Sequence, residues 1–247
     1  MKFQGSKKDV AVSMVYAMRR YLKEAGSNNP FDILFDGCCG GLGMVYGCTD
    51  KMIYIGADDD STLMYGLKYY TEYGARILER DASVLIPDMD ANMYGCIRRG
   101  EIDVSEADKF ILAFLAPFMG YRWGSFDKSE AWKARLSTAC TTINEFKKGV
   151  ANCLIYNDVL DPYMYNETID RDDVVYYFDP PQMFTINGWK PEDWKRFYEV
   201  TGFLVSKGKD VFFTAIDTEM CPEKYVPILT TRQRKGEPNE RLYAIRR

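Results

Sequence analysis

The stretch VVYYFDPPQMF (residues 174–184) decides the fold. Val174 to Phe178 are all Val or aromatic, the composition of a strand buried in a core. The run stops on Asp179, and Pro180 and Pro181 follow. Proline fixes φ and has no N–H, and Pro181 also keeps Pro180 out of the helical region. A carboxylate is thereby held rigid at the end of a core strand.

Other apolar runs end in the same way. FDILFDG (31–37) stops at Asp36-Gly37, MIYIGADDD (52–60) at three acids, and NCLIYND (152–158) at Asn157-Asp158. A further strand is expected at DVFFTAID (210–217). Helical spacing of apolar residues predicts helices over 10–25, 61–74 with Ser61 as cap, 128–149 and 190–208. Strands alternating with helices define an α/β fold with a mostly parallel sheet, whose ligands lie at the carboxyl ends of the strands. One acid at a strand end is an ordinary cap or turn residue. Four in one sheet point to a shared site.

The stretch from 84 to 149 breaks the alternation. It has helical periodicity around 106–118, then a Gly-rich aromatic loop, MGYRWGSFDK (119–128). It reads as an insertion between the two parts of one domain, 1–83 and 150–247. The section after 217 has no comparably clean pattern.

Composition removes several chemistries. The chain has 247 residues, no histidine, and seven cysteines with no CxxC pair. Cys/His zinc sites and His-based triads are therefore excluded, no metal is expected, and the cysteines are expected to be reduced and mostly buried. No apolar run approaches the roughly 18 residues of a membrane span, and no signal core follows the basic start. A cytoplasmic location and no membrane partner are expected. The net charge of −4 does not advertise nucleic-acid binding, but residues 232–247 concentrate Arg232, Arg234, Lys235, Arg241, Arg246 and Arg247 against Glu237 and Glu240. Such a patch suits either phosphate contact or a solvated tail.

FDGCCGGLGMVYG (35–47) lacks the GxGxxG spacing of a dinucleotide fingerprint. Its glycines still let the backbone turn sharply beside a ligand. Asp58, at the end of the second strand, is placed to accept hydrogen bonds from ribose hydroxyls. Together they point to an adenosine-type ligand without choosing between nicotinamide and S-adenosylmethionine. Asp179-Pro180-Pro181 supplies the choice. A carboxylate and nearby carbonyls aimed at an exocyclic base amine favour a more tetrahedral nitrogen, able to attack a methyl sulfonium.

In this order, FQGSKK (3–8), FDGCCGGLGMV (35–45), IGADDDSTL (55–63), LAFLAPFMGYRWGSF (112–126), YNDVL (156–160) and YYFDPPQ (176–182) resemble the motifs of Dam-type DNA adenine-N6 methyltransferases, especially compact phage-encoded members. The resemblance implies a Rossmann-like, S-adenosylmethionine-dependent methyltransferase sheet with a mainly helical target-recognition insertion. It implies methyl transfer to adenine N6 in double-stranded DNA, in a bacterial or phage-infected cell, by a monomer or weak dimer. The implied cofactor residues are Phe3, Lys7, Asp36, Gly37, Cys38, Gly40, Asp58, Asp59, Asp158 and Asp179. Asp179, Pro180, Pro181 and Gln182 fall at the catalytic DPPY motif. DNA contact falls to Tyr121, Arg122, Trp123, Lys128 and Arg135, with Lys133 nearby, and the target base must leave the stack to reach the site.

Two positions depart from the family pattern. Asp36-Gly37 replaces Glu-Pro, and Gln182 replaces the aromatic that stacks on the flipped base. Phe184 or Trp189 is a candidate for the missing ring. Two other readings share these residues: a chain that binds DNA or cofactor without methylating, and a transferase acting on cytosine N4 or RNA. The Asp of DPP favours adenine, because the cytosine-N4 enzymes usually carry Ser there.

Overall fold

The computed structural model describes residues 7–27, 31–49, 51–117, 122–127, 129–149, 151–181, 189–216, 225–232 and 239–245. Five parallel strands form the body of the sheet: β1 (Ile33–Asp36), β2 (Ile53–Asp58), β3 (Cys153–Tyr156), β4 (Val174–Phe178) and β5 (Asp210–Ile216). Two more, β6 (Tyr225–Arg232) and β7 (Glu240–Ile245), complete it in antiparallel sense. The order is β3-β2-β1-β4-β5-β7-β6. This is a Rossmann-like order, with β7 inserted antiparallel beside β5.

Successive side chains along each strand serve opposite faces. Leu34, Val175, Tyr177 and Phe212 enter one core, while Ile33, Phe35, Val174, Tyr176, Phe178 and Phe213 enter the other. Helices cover both faces, so the strands read as continuous apolar runs. The first core holds α1 (Ala11–Glu24), α2 (Ser61–Tyr73), α3 (Ala75–Asp88), α4 (Ala91–Arg98), α5 (Glu106–Phe114) and α6 (Ala131–Lys148). The second core holds α8 (Pro191–Ser206) and the residues around Tyr165, just before the short α7 (Asn166–Ile169). The helices from the 84–149 stretch share their core with α1 and α2.

Several local expectations are corrected. The cap of α2 is Asp60, not Ser61: Asp60 Oδ1 accepts from the Leu63 amide at 3.1 Å. Two helices, α3 and α4, stand where no element was expected, and the antiparallel pair β6–β7 occupies the section that gave no clean pattern. Among the described cysteines, all are free but only Cys39 is buried, and Cys153 is exposed. No helix is long and apolar enough to cross a membrane among the described residues.

Candidate active site at the carboxyl ends of the strands

Strand order reverses at β1, which has β2 on one side and β4 on the other. In open α/β sheets that switch point is where ligands bind. Asp36 ends β1, in register with Tyr177 of β4, and Asp179 follows Phe178 directly. The acids flanking the switch point are therefore brought together by the register itself.

Asp36 is buried, and its Oδ2 accepts from the Tyr54 hydroxyl at 2.8 Å. Among the described residues Oδ1 is buried with no partner in hydrogen-bond geometry. Burial pushes this carboxyl up to about 8, against the Tyr54 hydrogen bond, and the Asp179 and Asp58 charges add to the rise. Gly37 turns the chain beneath the Phe178 ring; a Cβ there would stand 2.3 Å from a ring carbon, so no larger residue fits without movement. This is the physical reason for a glycine directly after Asp36.

Asp58, at the end of β2, closes the glycine loop. Its Oδ2 accepts from the Gly40 amide at 3.0 Å and its Oδ1 from the Asp60 amide at 3.1 Å. Gly40 has φ of +44°, a conformation that favours glycine and presents the amide to the acid. Burial raises Asp58 to about 6 despite these bonds. Cys38 is half-buried between the two acids, and burial raises its thiol well above the ordinary value. It is no thiolate nucleophile at neutral pH.

Asp179 is the centre of a buried polar cluster. Its Oδ1 lies 2.9 Å from the Lys7 ammonium and accepts from the Thr214 hydroxyl. Thr214 and the Tyr177 hydroxyl lie 3.2 Å apart. Lys7 is 4% exposed and also donates to Glu240 Oε1 at 3.1 Å. Burial alone would lower the Lys7 ammonium, but the two carboxylates outweigh it and hold the lysine charged. Burial raises Asp179, and Lys7 opposes that rise. Pro180 is buried and Pro181 exposed, so the chain leaves the core at this dipeptide.

Asp158 follows β3 and is exposed. It pairs with Arg196 of α8 at 2.6 Å and accepts from the Leu160 amide at 2.9 Å. With Asp59, Tyr156, Asn157, Trp189 and Asp193 it lines a cavity of about 390 Å³. Trp189 packs against Trp194 and Phe197, with ring centroids 5.7 and 5.6 Å apart.

Among the residues expected to touch DNA, Arg122 pairs with Asp60 at 2.8 Å and is 46% exposed. Trp123 is half-buried against Tyr94, whose hydroxyl donates to the Gly124 carbonyl. Arg135 is buried: it donates to the Leu115 carbonyl at 2.7 Å and faces Asp127 at 3.5 Å. That guanidinium is committed to holding the loop it lies under. Lys133 is exposed and pairs with Glu130. Phe3, Tyr121, Lys128, Gln182 and Phe184 lie outside the described residues, as do Arg234, Lys235, Glu237, Arg246 and Arg247 of the basic tail.

Thr214, Glu240, Tyr54 and Arg196 are site residues that the sequence reading did not single out. Thr214 had a signal, as the one hydroxyl in the apolar run DVFFTAI. Glu240 had none, being one of two acids in a basic tail.

No protein-family model matches the chain, and no curated protein matches it. Two solved structures of the rRNA methyltransferase AviRa from Streptomyces viridochromogenes are similar to it, at 13% and 12% identity. Both have a TM-score of 0.45, and each alignment covers 94% of this chain and 84% of that one.

Proposed function

We propose that this chain transfers a methyl group from S-adenosylmethionine to the N6 amine of adenine in DNA. The observation that carries the reading is Asp179: a carboxylate fixed on Oδ1 by Lys7 and Thr214, its side chain still 23% exposed, directly before Pro180-Pro181 at the switch point.

The cofactor fits the charges present. Asp36, Asp58, Asp59 and Asp158 line the strand ends beside Asp179, and the cations described near them, Lys7, Arg122 and Arg196, are already paired with carboxylates. Such a rim disfavours a pyrophosphate and favours a ligand carrying positive charge. Asp36 Oδ1, buried and without a partner, is an acceptor for an ammonium. Asp58 would hold ribose hydroxyls, the Cys38–Gly40 turn would lie against the ligand, and Asp59 and Asp158 would meet the adenine edge. When bound, S-adenosylmethionine supplies a methyl on a sulfonium, whose C–S bond breaks as the C–N bond forms.

Oδ2 of Asp179 accepts a hydrogen bond from the target amine, orients its lone pair, and receives the proton that the substituted amine sheds. Lys7 and Thr214 fix the carboxylate so that little reorganisation is needed. The test is incubation of the full chain with methyl-labelled S-adenosylmethionine and unmethylated duplex DNA, followed by digestion to nucleosides. Label in N6-methyladenine is expected. Label in N4-methylcytosine, or in RNA alone, would reassign the acceptor, and binding of cofactor and DNA without label would make the chain a binding protein.

A further inference from the structure

Glu240 opens β7 and reaches the catalytic cluster from the far side of Lys7. Both of its oxygens are used: Oε1 accepts from Lys7 at 3.1 Å, and Oε2 from the Thr231 hydroxyl at 2.9 Å. Its side chain is 13% exposed and that of Lys7 4%. Among the described residues the ion pairs of this cluster are Lys7 with Asp179 and Lys7 with Glu240. One ammonium thus serves two carboxylates, and the buried trio carries a net charge of −1.

A second acid is not needed to hold Lys7, because Asp179 alone would neutralise it. Removing two charges from water is already costly. Adding a third, which leaves the cluster uncompensated, is a net penalty unless a cation arrives. We infer that Glu240 is a positioning residue that holds Lys7 against Asp179 and leaves the cluster one negative charge in excess, matched to the positive charge of a sulfonium bound beside it. This rests on the proposed function, because only that reading puts a sulfonium next to Asp179. The residue acts through Lys7 and touches neither reacting atom. Its effect is a preference for the sulfonium over the thioether left when the methyl has gone, which favours release of the spent cofactor.

Calorimetry on the full chain with S-adenosylmethionine and with S-adenosylhomocysteine separates the two ideas without needing turnover. The wild-type chain is expected to bind the sulfonium more tightly than the thioether. Glu240→Gln, which keeps shape and a hydrogen bond but removes the charge, is expected to narrow that ratio by about fivefold. Glu240→Asp is expected to retain most of it. An unchanged ratio in folded Glu240→Gln overturns the inference and leaves the function standing; failure of the wild-type chain to bind either ligand overturns both. Should Glu240→Gln not fold, Glu240→Met carries the test by removing the charge with a side chain of similar length. It is expected to narrow the ratio by about the same factor, and no change in it overturns the inference.

Discussion

The Tyr54 hydroxyl donates to Asp36 Oδ2 across 2.8 Å inside the core, and among the described residues the acid's other oxygen is buried with no partner in hydrogen-bond geometry. A carboxyl so placed keeps its proton to about pH 8, while the unfolded chain gives it up near 4. Between those values the folded state binds the extra proton, so stability from this group falls as pH rises. Asp36→Asn is therefore expected to gain on the order of 2–5 kcal/mol at pH 8 and almost nothing at pH 4. Denaturant unfolding at the two pH values checks it; equal shifts at both would refute the account.

The same carboxyl must ionise to receive an ammonium. S-adenosylmethionine binding at pH 7 is expected to release up to about one proton, because the arriving cation lowers the raised Asp36. Calorimetry in buffers of different ionisation enthalpy measures the number. Asp36→Asn should abolish the release and weaken binding by at least about tenfold.

Asp179→Asn keeps the Thr214 partner and the shape of the site, but replaces an anion by an amide. Methyl transfer is expected to fall by at least about a hundredfold, with cofactor affinity changed by less than about threefold. Single-turnover rates measured beside calorimetry would separate the two. A fall in affinity as large as the fall in rate would make Asp179 a binding residue instead.

Lys7→Met strands two buried carboxylates. The expected cost is about 3–5 kcal/mol of folding stability, with part recovered when Asp179→Asn is added. Thermal unfolding of the single and double variants tests this coupling, and strict additivity would show that the pair does not interact.

Arg135 and Arg122 should behave differently, although both are basic residues of the helical stretch. Arg135→Ala removes the partner of the Leu115 carbonyl and of Asp127, and is expected to destabilise by about 2–3 kcal/mol. Arg122→Ala breaks a half-exposed pair and should cost less than about 1 kcal/mol. Its effect should be larger on duplex affinity, read by titration at two salt concentrations.

β1, β2 and β4 were legible because each is buried over most of its length and ends abruptly in an acid. Asp36, Asp58 and Asp179 could be read one strand at a time, since a parallel sheet puts all such ends on one edge. The β6–β7 pair was not legible. β7 lies between two neighbours, so its last four residues are all buried and show no alternation, while β6 carries Pro227 and shifts in register. Arg135 misled because charge alone does not tell a solvated guanidinium from one turned inward against a carbonyl. Glu240 was hidden for another reason. Its partner stands 233 positions away, and no local pattern encodes such a pairing.

That separation governs when the site comes into being. Lys7 precedes every helix and strand described here, and Glu240 opens the last strand. Contacts so distant in sequence form only after the intervening loops have closed, which is slow. During synthesis Asp179 would emerge from the ribosome well before the strand that completes its surroundings. An incomplete chain therefore holds the acid without its finished electrostatic setting, and the Lys7–Glu240 contact becomes a late marker that the first and last elements of the fold have met.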